Sequence, residues 1–248
     1  MAGHSKWKNI QHRKGAQDAK RGKIFTKLIR EVMVAVKIGG ADLDANSRLR
    51  LAIQNAKGIN MPKDNIERAI KKASGAGGED YVEVTFEGYA SDGVGIFVEC
   101  ATDNNTRTVS NIRSYFNKHG GSLGKDGCLE FIFQRKGIFI LPAEVLTHDF
   151  GEDELTMAMI DAGAEDIEVD GEQITISCEM HDFGNIQKKL TELKIDPQEA
   201  GLQRVPITSK AISQETFHKV MKLIDIIEDD DDVQKVYHNI EFDESLLA

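Results

Sequence analysis

GIFILPAEVLTHDFGEDELTMAMIDAG, residues 137–163, has the pattern of a strand followed by a helix. Its first five residues form a short apolar run, and residues 152–163 are rich in helix formers. Two more strands, DIEV and QITISC, then flank the turn sequence DGE, and a helix at 182–193 and a strand near 202–208 complete the series. The order strand–helix–strand–strand–helix–strand is that of the ferredoxin-like split unit. We therefore predict a ferredoxin-like α+β domain over residues 136–206.

The segment before this unit predicts a second α+β domain. YVEVTFEGY and VGIFVECAT alternate polar and apolar residues around SDG, which indicates a hairpin. A helix then begins in TDNNTRT, and a glycine-rich loop and a strand, CLEFIF, follow it. The last helix and strand of the chain, ETFHKVMKLIDII and DVQKVYHNIEF, have no partner of their own, so we expect them to return to this domain. The prediction is two ferredoxin-like domains, one inserted in the other, at 79–135 plus 207–248 and at 136–206.

The first 75 residues have a helical period instead. Between Asp18 and Val36 the apolar residues recur at intervals of three, four and seven, whereas Lys20, Lys23, Lys27 and Arg30 fall on the opposite side. Two shorter helices are predicted, one from Asn46-Ser47 to Gly58 and one from near Pro62 to Gly75. GAGGED then marks a linker. We predict an N-terminal basic three-helix domain, residues 1–78, and thus an α+β multidomain fold.

Charge is divided unevenly along the chain. The whole sequence carries a formal net charge of −10, but residues 1–75 contain 17 Lys or Arg against 6 Asp or Glu. Residues 76–248 contain 14 against 35. A cationic end on an acidic protein is typical of contact with nucleic acid or with another anionic surface.

The cationic end supplies the candidate binding residues. Long cationic side chains suit phosphates, and an indole ring can stack on an unpaired base. The alternative is a solvated terminus whose Trp7 packs on the helical domain. The sequence has no helix-turn-helix or RNP motif, so it does not indicate sequence-specific readout. The predicted nucleic-acid-binding residues are His4, Ser5, Lys6, Trp7, Lys8, His12, Arg13, Lys14, Lys20, Arg21, Lys23, Lys27 and Arg30.

Other classes of site are poorly supported. HGGSLGKDG, residues 119–127, lacks the first glycine and the Ser or Thr of a phosphate loop. Cys100, Cys128 and Cys178 are far apart, and we expect small buried or half-buried thiols in a reducing compartment. No HExxH motif occurs. We predict no catalytic residue, no metal and no cofactor, and we expect no small-molecule substrate. Lys37 interrupts the longest apolar run, so no membrane contact is expected and the predicted location is cytoplasmic.

The acidic run EDDDD, residues 228–232, is unusual because acids at the end of a helix oppose its dipole. Its spacing is not that of a calcium loop. The ordinary interpretation is a solvated turn. A second hypothesis is that these acids form a counter-surface for the basic arm, the cationic segment of residues 3–25, when nucleic acid is absent.

Several long motifs together resemble the YebC/PmpR family. They are AGHSKW, AQDAKRGKIFTKLIRE, EGYASDGVG, NNTRTVSNIR, GGSLGKDG and DDVQKVYHN, spread from residue 2 to about residue 240. The family includes bacterial proteins described as transcriptional regulators and the mitochondrial translational activator of cytochrome c oxidase. Lys8, the ASDG turn and the low arginine content of NNTRT depart from its usual pattern, which leaves Arg107 as the one candidate phosphate contact of that loop.

This resemblance implies one helical and two α+β domains, a cytoplasmic location, no cofactor and no catalytic role. It also implies nucleic-acid binding in gene expression. The partner is promoter DNA on one view, which makes the protein a DNA-binding transcriptional regulator. On the other view it is RNA within the ribosome, and the protein is a translation factor that activates translation or relieves stalling at proline runs.

Overall fold

The computed structural model describes residues 17–75, 81–147, 150–243 and 246, with the backbone alone for residues 17–21. Within these residues the chain begins with three helices that share one small core. Ala35, Leu49 and Ala52 are fully buried in this core. The helices are α1 (Gln17–Gly39), α2 (Ser47–Gly58) and α3 (Lys63–Ser74).

These helices begin and end where the residue pattern predicts. The Asn46 side chain caps α2 by accepting a hydrogen bond from the Leu49 backbone N–H at 2.9 Å. The predicted apolar stripe of α1 is confirmed, since Val32, Met33 and Val36 are buried. The helical region was therefore encoded almost entirely by local pattern.

The first sheet is antiparallel, and two helices cover one of its faces. Its strands lie in the order β3-β1-β2-β8. Ile112 and Phe116 of the first covering helix, and Leu223 of the second, are fully buried against it. The elements are β1 (Val82–Tyr89), β2 (Gly95–Thr102), α4 (Asn105–Lys118), β3 (Ser122–Leu123), α7 (Gln214–Glu228) and β8 (Val233–His238).

The second sheet is also antiparallel, with strand order β5-β6-β4-β7. Phe139, Leu155, Ile176 and Ile186 fill the space between this sheet and its two helices. Its elements are β4 (Phe133–Pro142), α5 (Glu152–Asp161), β5 (Ala164–Val169), β6 (Gln173–Glu179), α6 (Phe183–Glu192) and β7 (Glu199–Pro206). Their order along the chain and in the sheet is that of the ferredoxin-like split unit.

The predicted fold class is confirmed: the chain is an α+β protein with N-terminal helices followed by sheet domains. The two sheets differ in connectivity. A hairpin around Ser91–Gly93 joins β1 and β2, the central strands of the first sheet, whereas α5 and β5 separate the central strands β4 and β6 of the second. Only the second sheet therefore has the ferredoxin-like element order, because a tight turn keeps β1 and β2 adjacent.

The end of the chain returns to the first sheet, where β8 pairs with β2. We propose on this topology the division into residues 1–78, 79–135 plus 207–248, and 136–206. Strand β4 crosses one of these boundaries, since it begins at Phe133, whose Cα pairs with that of Pro206.

One predicted strand is wrong. Residues 128–132 of CLEFIF form turns, and the strand begins only at Phe133. The buried Glu87 carboxylate accepts hydrogen bonds from the backbone N–H groups of Gly127 and Leu129, at 2.9 and 2.6 Å. This side chain comes from β1, about 40 residues away, and it satisfies backbone donors that a sheet ladder would otherwise use.

The helical region packs against both sheets. Asn55 of α2 exchanges two hydrogen bonds of 2.9 Å with the Ala200 backbone of β7. At the end of α2, a Cβ on Gly58 would lie 2.1 Å from the Gln198 carbonyl oxygen, so this position requires glycine. Among the described residues, no helix is both long and apolar enough to cross a bilayer.

Candidate nucleic-acid interface

The predicted binding residues fall into three groups. His4, Ser5, Lys6, Trp7, Lys8, His12, Arg13 and Lys14 lie outside the described residues. Lys20 and Arg21 lie in the first turns of α1, where the backbone is described. Lys23, Lys27 and Arg30 are described in full, and the structure brings all three to one place.

That place is the acidic run 228–232, which we call the acidic bend. It joins the end of α7 to the start of β8, and Asp229 is the C-terminal cap of α7. The Asp232 backbone N–H donates to the Asp230 side chain at 2.9 Å, and the Ala101 N–H donates to the Asp232 carbonyl at 2.9 Å. These bonds fix the bend against the end of β2.

The apolar stripe of α1 explains why its cations face this bend. Burying Val32 and Val36 against α2 and α3 leaves Lys23, Lys27 and Arg30 together on another side of the helix. Their spacing of four and three residues aligns them along one row. All three cations of this row contact residues of the acidic bend.

The first part of this contact is exposed, and we call it the outer contact. The Lys23 ammonium lies 2.5 Å from the Asp229 carboxylate, and the two side chains are 44% and 73% exposed. The Lys27 ammonium donates to the Glu228 carbonyl oxygen at 3.2 Å. The two lysines therefore place positive charge at the C-terminal end of α7, where the helix dipole favours it. This explains how the acidic end of α7 is tolerated.

The second part is buried, and we call it the Asp232 junction. Asp232 is 3% exposed. Its carboxylate accepts hydrogen bonds from Arg107 at 2.7 Å, from Thr108 at 2.8 Å and from Thr102 at 3.2 Å. Arg30 approaches the same carboxylate at 3.3 Å and also donates to the carbonyls of Ala101, at 3.1 Å, and Asp231. One carboxylate thus connects α1, β2, α4 and β8.

The protonation of Asp232 follows from these contacts. Burial by itself raises the pKa of the Asp232 carboxyl, but the hydrogen bonds from Arg107 and Thr108 outweigh it and lower the pKa below its ordinary value. Hydrogen bonds to Asp232 and then to Asp103 raise the pKa of Arg107. The junction is therefore ionised at neutral pH, with a buried negative charge held by two guanidinium groups.

Asp230 faces α4 from the same bend. Its carboxylate accepts hydrogen bonds from Asn111 at 3.1 Å and from the Tyr115 hydroxyl at 2.9 Å. Burial, followed by this hydrogen bond, raises the pKa of Tyr115 to about 12. The interpretation of 228–232 as a simple solvated turn is therefore wrong for Asp230 and Asp232, which hold the bend to α4.

Sequence reasoning missed most of the junction. Thr102 and Thr108 lie in quoted stretches but were assigned no role, and Asp232 was one acid among several in a run. Arg107, the candidate phosphate contact of NNTRT, instead pairs with Asp232 and with Asp103. One local feature could have indicated the position of Thr108. Asn104 caps α4, so Thr108 lies one turn inside that helix. The partner, more than 120 residues away, left no local trace.

Arg30 is the predicted residue whose surroundings differ most from those expected of a phosphate contact. Its side chain is 11% exposed, and its guanidinium lies 4.7 Å from the Tyr81 ring centroid. A phosphate could reach it only after the junction opened. Lys23 is in the opposite situation, since it is exposed and held by one surface carboxylate.

A cavity of about 1280 Å³ lies beside this interface, between the helices and the two sheets. Acids and bases from all three regions line it. The Tyr237 hydroxyl donates to Glu99 at 3.3 Å, and Arg204 lies 3.5 Å from the same carboxylate. Burial raises the pKa of Glu31, which lines the cavity from α1, and Lys235 and Arg48 offset only part of this. The mixed charges of the cavity give it no preference for a polyanion.

No other chemistry is assembled among the described residues. No group of three His, Cys, Asp or Glu side chains there is placed to hold a metal ion. Cys100 and Cys178 are buried and Cys128 is half-buried, as the sequence predicts. Burial raises the pKa of the Cys178 thiol to about 11 and also raises that of Cys100, which makes both poor nucleophiles.

Family models match the chain in two segments. The model described as the TACO1/YebC protein N-terminal domain matches residues 5–76. The model described as the TACO1/YebC second and third domain matches residues 81–240. Together they span the helical region and both sheets.

Individual relatives agree with this match along nearly the full length. A protein of Amoebophilus asiaticus, named a probable transcriptional regulatory protein, is 56% identical over 242 residues, which are 97% of this chain and 98% of that one. The probable transcriptional regulatory protein YrbC of Bacillus subtilis is 49% identical over 240 residues, 96% and 99% of the two chains. The crystal structure of a conserved hypothetical protein from Aquifex aeolicus superposes with a TM-score of 0.84 at 42% identity, covering 96% of this chain and 98% of that one.

Proposed function

The chain belongs to the TACO1/YebC family, and we propose that it is a non-enzymatic regulator of gene expression that binds nucleic acid. In this proposal it acts on DNA as a transcriptional regulator in the cytoplasm. The names of its relatives support the regulatory role. The arm and the start of α1 make the contact.

The observation that carries the proposal is the position of the positive charge. The helical region is strongly cationic while the remainder is strongly acidic, and the cations of α1 form one row beginning at the end of the helix that leads to the arm. A polyanion is therefore attracted to the arm and the start of α1 rather than to the acidic remainder of the chain. Lys23 is exposed and lies at that end. We assign Arg30 a structural part in this interface, because the Asp232 junction holds its guanidinium.

Salt dependence tests the binding site. If the arm and α1 neutralise about six phosphates of duplex DNA, log K should fall with log salt at a slope near −5. Changing Lys6, Arg13, Lys14, Lys20 and Arg21 to Ala should remove most of that slope. The matched control changes five exposed lysines outside the helical region, Lys118, Lys125, Lys188, Lys219 and Lys222. If both quintuple variants lost affinity equally, the contact would be general electrostatics and the assignment of the arm would be wrong.

The choice of DNA has its own test. A transcriptional regulator should bind one promoter sequence far more tightly than a random duplex at physiological salt. Crosslinking in living cells, followed by sequencing of the recovered nucleic acid, should then return promoter DNA. Recovery of ribosomal RNA, together with co-sedimentation with ribosomes and equal affinity for all duplexes, would overturn the DNA assignment in favour of a translation factor.

A further inference from the structure

The acids of the bend are divided between two sides. Asp230 and Asp232 point inward and hold α4, α1 and β2 through the bonds described above. Asp229 and Asp231 are exposed, and Glu228 precedes them at the last position of α7. The carboxylates of Asp230 and Asp232 therefore hold the fold, whereas Asp231 contributes to the junction only its backbone carbonyl, which accepts from Arg30.

One outer acid, Asp229, nevertheless places its carboxylate against a cation of the proposed interface. Asp229 lies 2.5 Å from the Lys23 ammonium, and Lys27 reaches the backbone of Glu228. An exposed ion pair of this kind contributes little to stability, because solvent screens it. A phosphate group, which also accepts strongly from an ammonium, could therefore displace Asp229 at little cost to the fold.

The pair between Lys23 and Asp229 also lies close to the start of α1, where nucleic acid is proposed to bind. Lys23 lies six residues after Gln17, a rise of about 9 Å along α1. A phosphate group bound at the first turns of α1 is therefore within about one Debye length of the bend at physiological salt. The bend carries five formal negative charges, which oppose the approach of a second polyanion.

We propose that the outer acids of the bend, Glu228, Asp229 and Asp231, are an internal competitor that occupies the cations of α1 and weakens nucleic-acid binding. This inference rests on the proposed function. In the free protein the bend holds Lys23 and Lys27. When nucleic acid binds, its phosphates replace the bend at these two lysines, while Arg30 stays in the Asp232 junction.

Competition of this kind increases selectivity among polyanions. A cationic arm alone would bind any nucleic acid in proportion to its charge. An internal acidic segment lowers this nonspecific affinity, so that only a nucleic acid that makes further contacts binds at physiological salt. The acids also sit at the unfavourable end of the α7 dipole, a local cost that a purely structural bend would avoid.

The test replaces the outer acids by neutral side chains of the same shape. Glu228→Gln, Asp229→Asn and Asp231→Asn are combined in the full chain, and affinity for a fluorescent 20-base-pair duplex and a 20-nucleotide RNA is followed by anisotropy. We expect the triple variant to bind both probes about tenfold more tightly at 50 mM salt, with the gain falling to about twofold at 300 mM. The control triple, Glu152→Gln, Asp153→Asn and Asp166→Asn, removes three exposed acids from the second sheet domain and should change affinity less than twofold.

Hydrogen exchange supplies a second measurement that does not depend on affinity. Amides at the end of α7 and in the bend should exchange faster when the duplex is bound, because Lys27 leaves the Glu228 carbonyl. Adding Lys23→Gln and Lys27→Gln to the bend triple variant should remove its gain in affinity.

The outcomes separate this inference from the proposed function. If both triple variants gained the same affinity, the gain would be an effect of net charge alone, and the proposal that the outer acids compete with nucleic acid would be wrong. Normal salt-dependent binding by the wild type, with no gain in the bend variant and unchanged exchange, would also overturn it while leaving the proposed function intact. If the wild type and both variants bound neither probe, the proposed function would fail and the competitor with it. Binding by the bend variant alone would support the competitor.

Discussion

The outer contact and the Asp232 junction lie on the same five-residue bend and hold neighbouring cations of the same helix. Lys23 and Asp229 meet in water, with 44% and 73% of their side chains exposed. Arg30 and Asp232 meet almost out of water, at 11% and 4%. Because solvent screens the first pair and not the second, one acidic run performs two different tasks.

The comparison shows that the charge of a residue, read from the sequence, does not identify whether that residue holds the fold or contacts a ligand. The bend is uniformly acidic and the α1 row is uniformly basic. Burial decides which pairs hold the fold and which remain available to a ligand. We therefore assign stability to the junction and binding to the outer contact, and three substitutions test this separation.

The largest effect is expected for Asp232→Asn. It removes the buried carboxylate that Arg30 and Arg107 share and leaves Arg107 only its exposed pair with Asp103. The loss of this buried partner should lower the free energy of unfolding by about 3 kcal/mol. Urea denaturation measures this, with Asp231→Asn as the control on the exposed side of the bend. The control should change stability by less than about 0.5 kcal/mol. Equal losses in the two variants would contradict the distinction between the junction and the outer contact.

The pH dependence of the same variant sharpens the assignment. The pKa of Asp232 is lowered in the folded protein, so the unfolded chain binds the proton more tightly. The contribution of Asp232 to stability is therefore complete above its unfolded pKa, near 4, and is lost as the pH falls through the lower folded pKa. The difference in stability between wild type and Asp232→Asn should shrink below about pH 4. A difference that stayed constant from pH 7 to pH 3 would mean that ionisation of Asp232 is not its cause.

An intermediate effect is expected for Arg30→Lys. The change keeps the charge, but one ammonium cannot reach the Ala101 carbonyl and the Asp232 carboxylate and also stack on Tyr81. We expect a loss of about 1–2 kcal/mol in unfolding free energy and an unchanged salt slope for nucleic-acid binding. Arg68→Lys, at an exposed position on α3, is the matched control and should be nearly neutral. A reduced slope in Arg30→Lys would place Arg30 in the binding surface after all.

The smallest effect on stability is expected for Lys23→Gln. Removing an exposed pair should cost less than about 0.5 kcal/mol, yet one fewer phosphate contact should reduce the steepness of the salt slope by about 1. Thermal denaturation and binding at several salt concentrations measure the two quantities separately. A variant that lost stability but kept its slope would reverse the assignment of Lys23.

Much of the fold was predictable from the sequence because neighbouring residues encode it. The three helices, the hairpin around Ser91–Gly93 and the element order of the second sheet all follow from periodicity and turn residues. The prediction that the last strand returns to the first domain also agrees with its pairing to β2. That prediction was made by elimination, because the sequence offered the last strand no other partner.

The failures have two causes, one distant along the chain and one local. Residues 128–132 have the composition of a strand, but the Glu87 carboxylate holds them as turns. The first sheet departs from the ferredoxin-like order because its hairpin lies at the centre, and its third strand is Ser122–Leu123, in the predicted glycine-rich loop, instead of CLEFIF. For the candidate site, the sequence identified the basic row of α1 and suggested that the acidic run opposes the arm, but not which cations it meets.

By itself, the amino-acid sequence determined the helices and most of the strands, the separation of charge between the two parts of the chain, and the family. Only the tertiary structure decided that Asp232 is a buried anchor while Asp229, three residues earlier, is an exposed partner of Lys23. The physical reason is that periodicity is a property of adjacent residues. The dielectric surroundings of a charge depend instead on whatever folding brings around it, here from α1 and α4, more than 100 residues away.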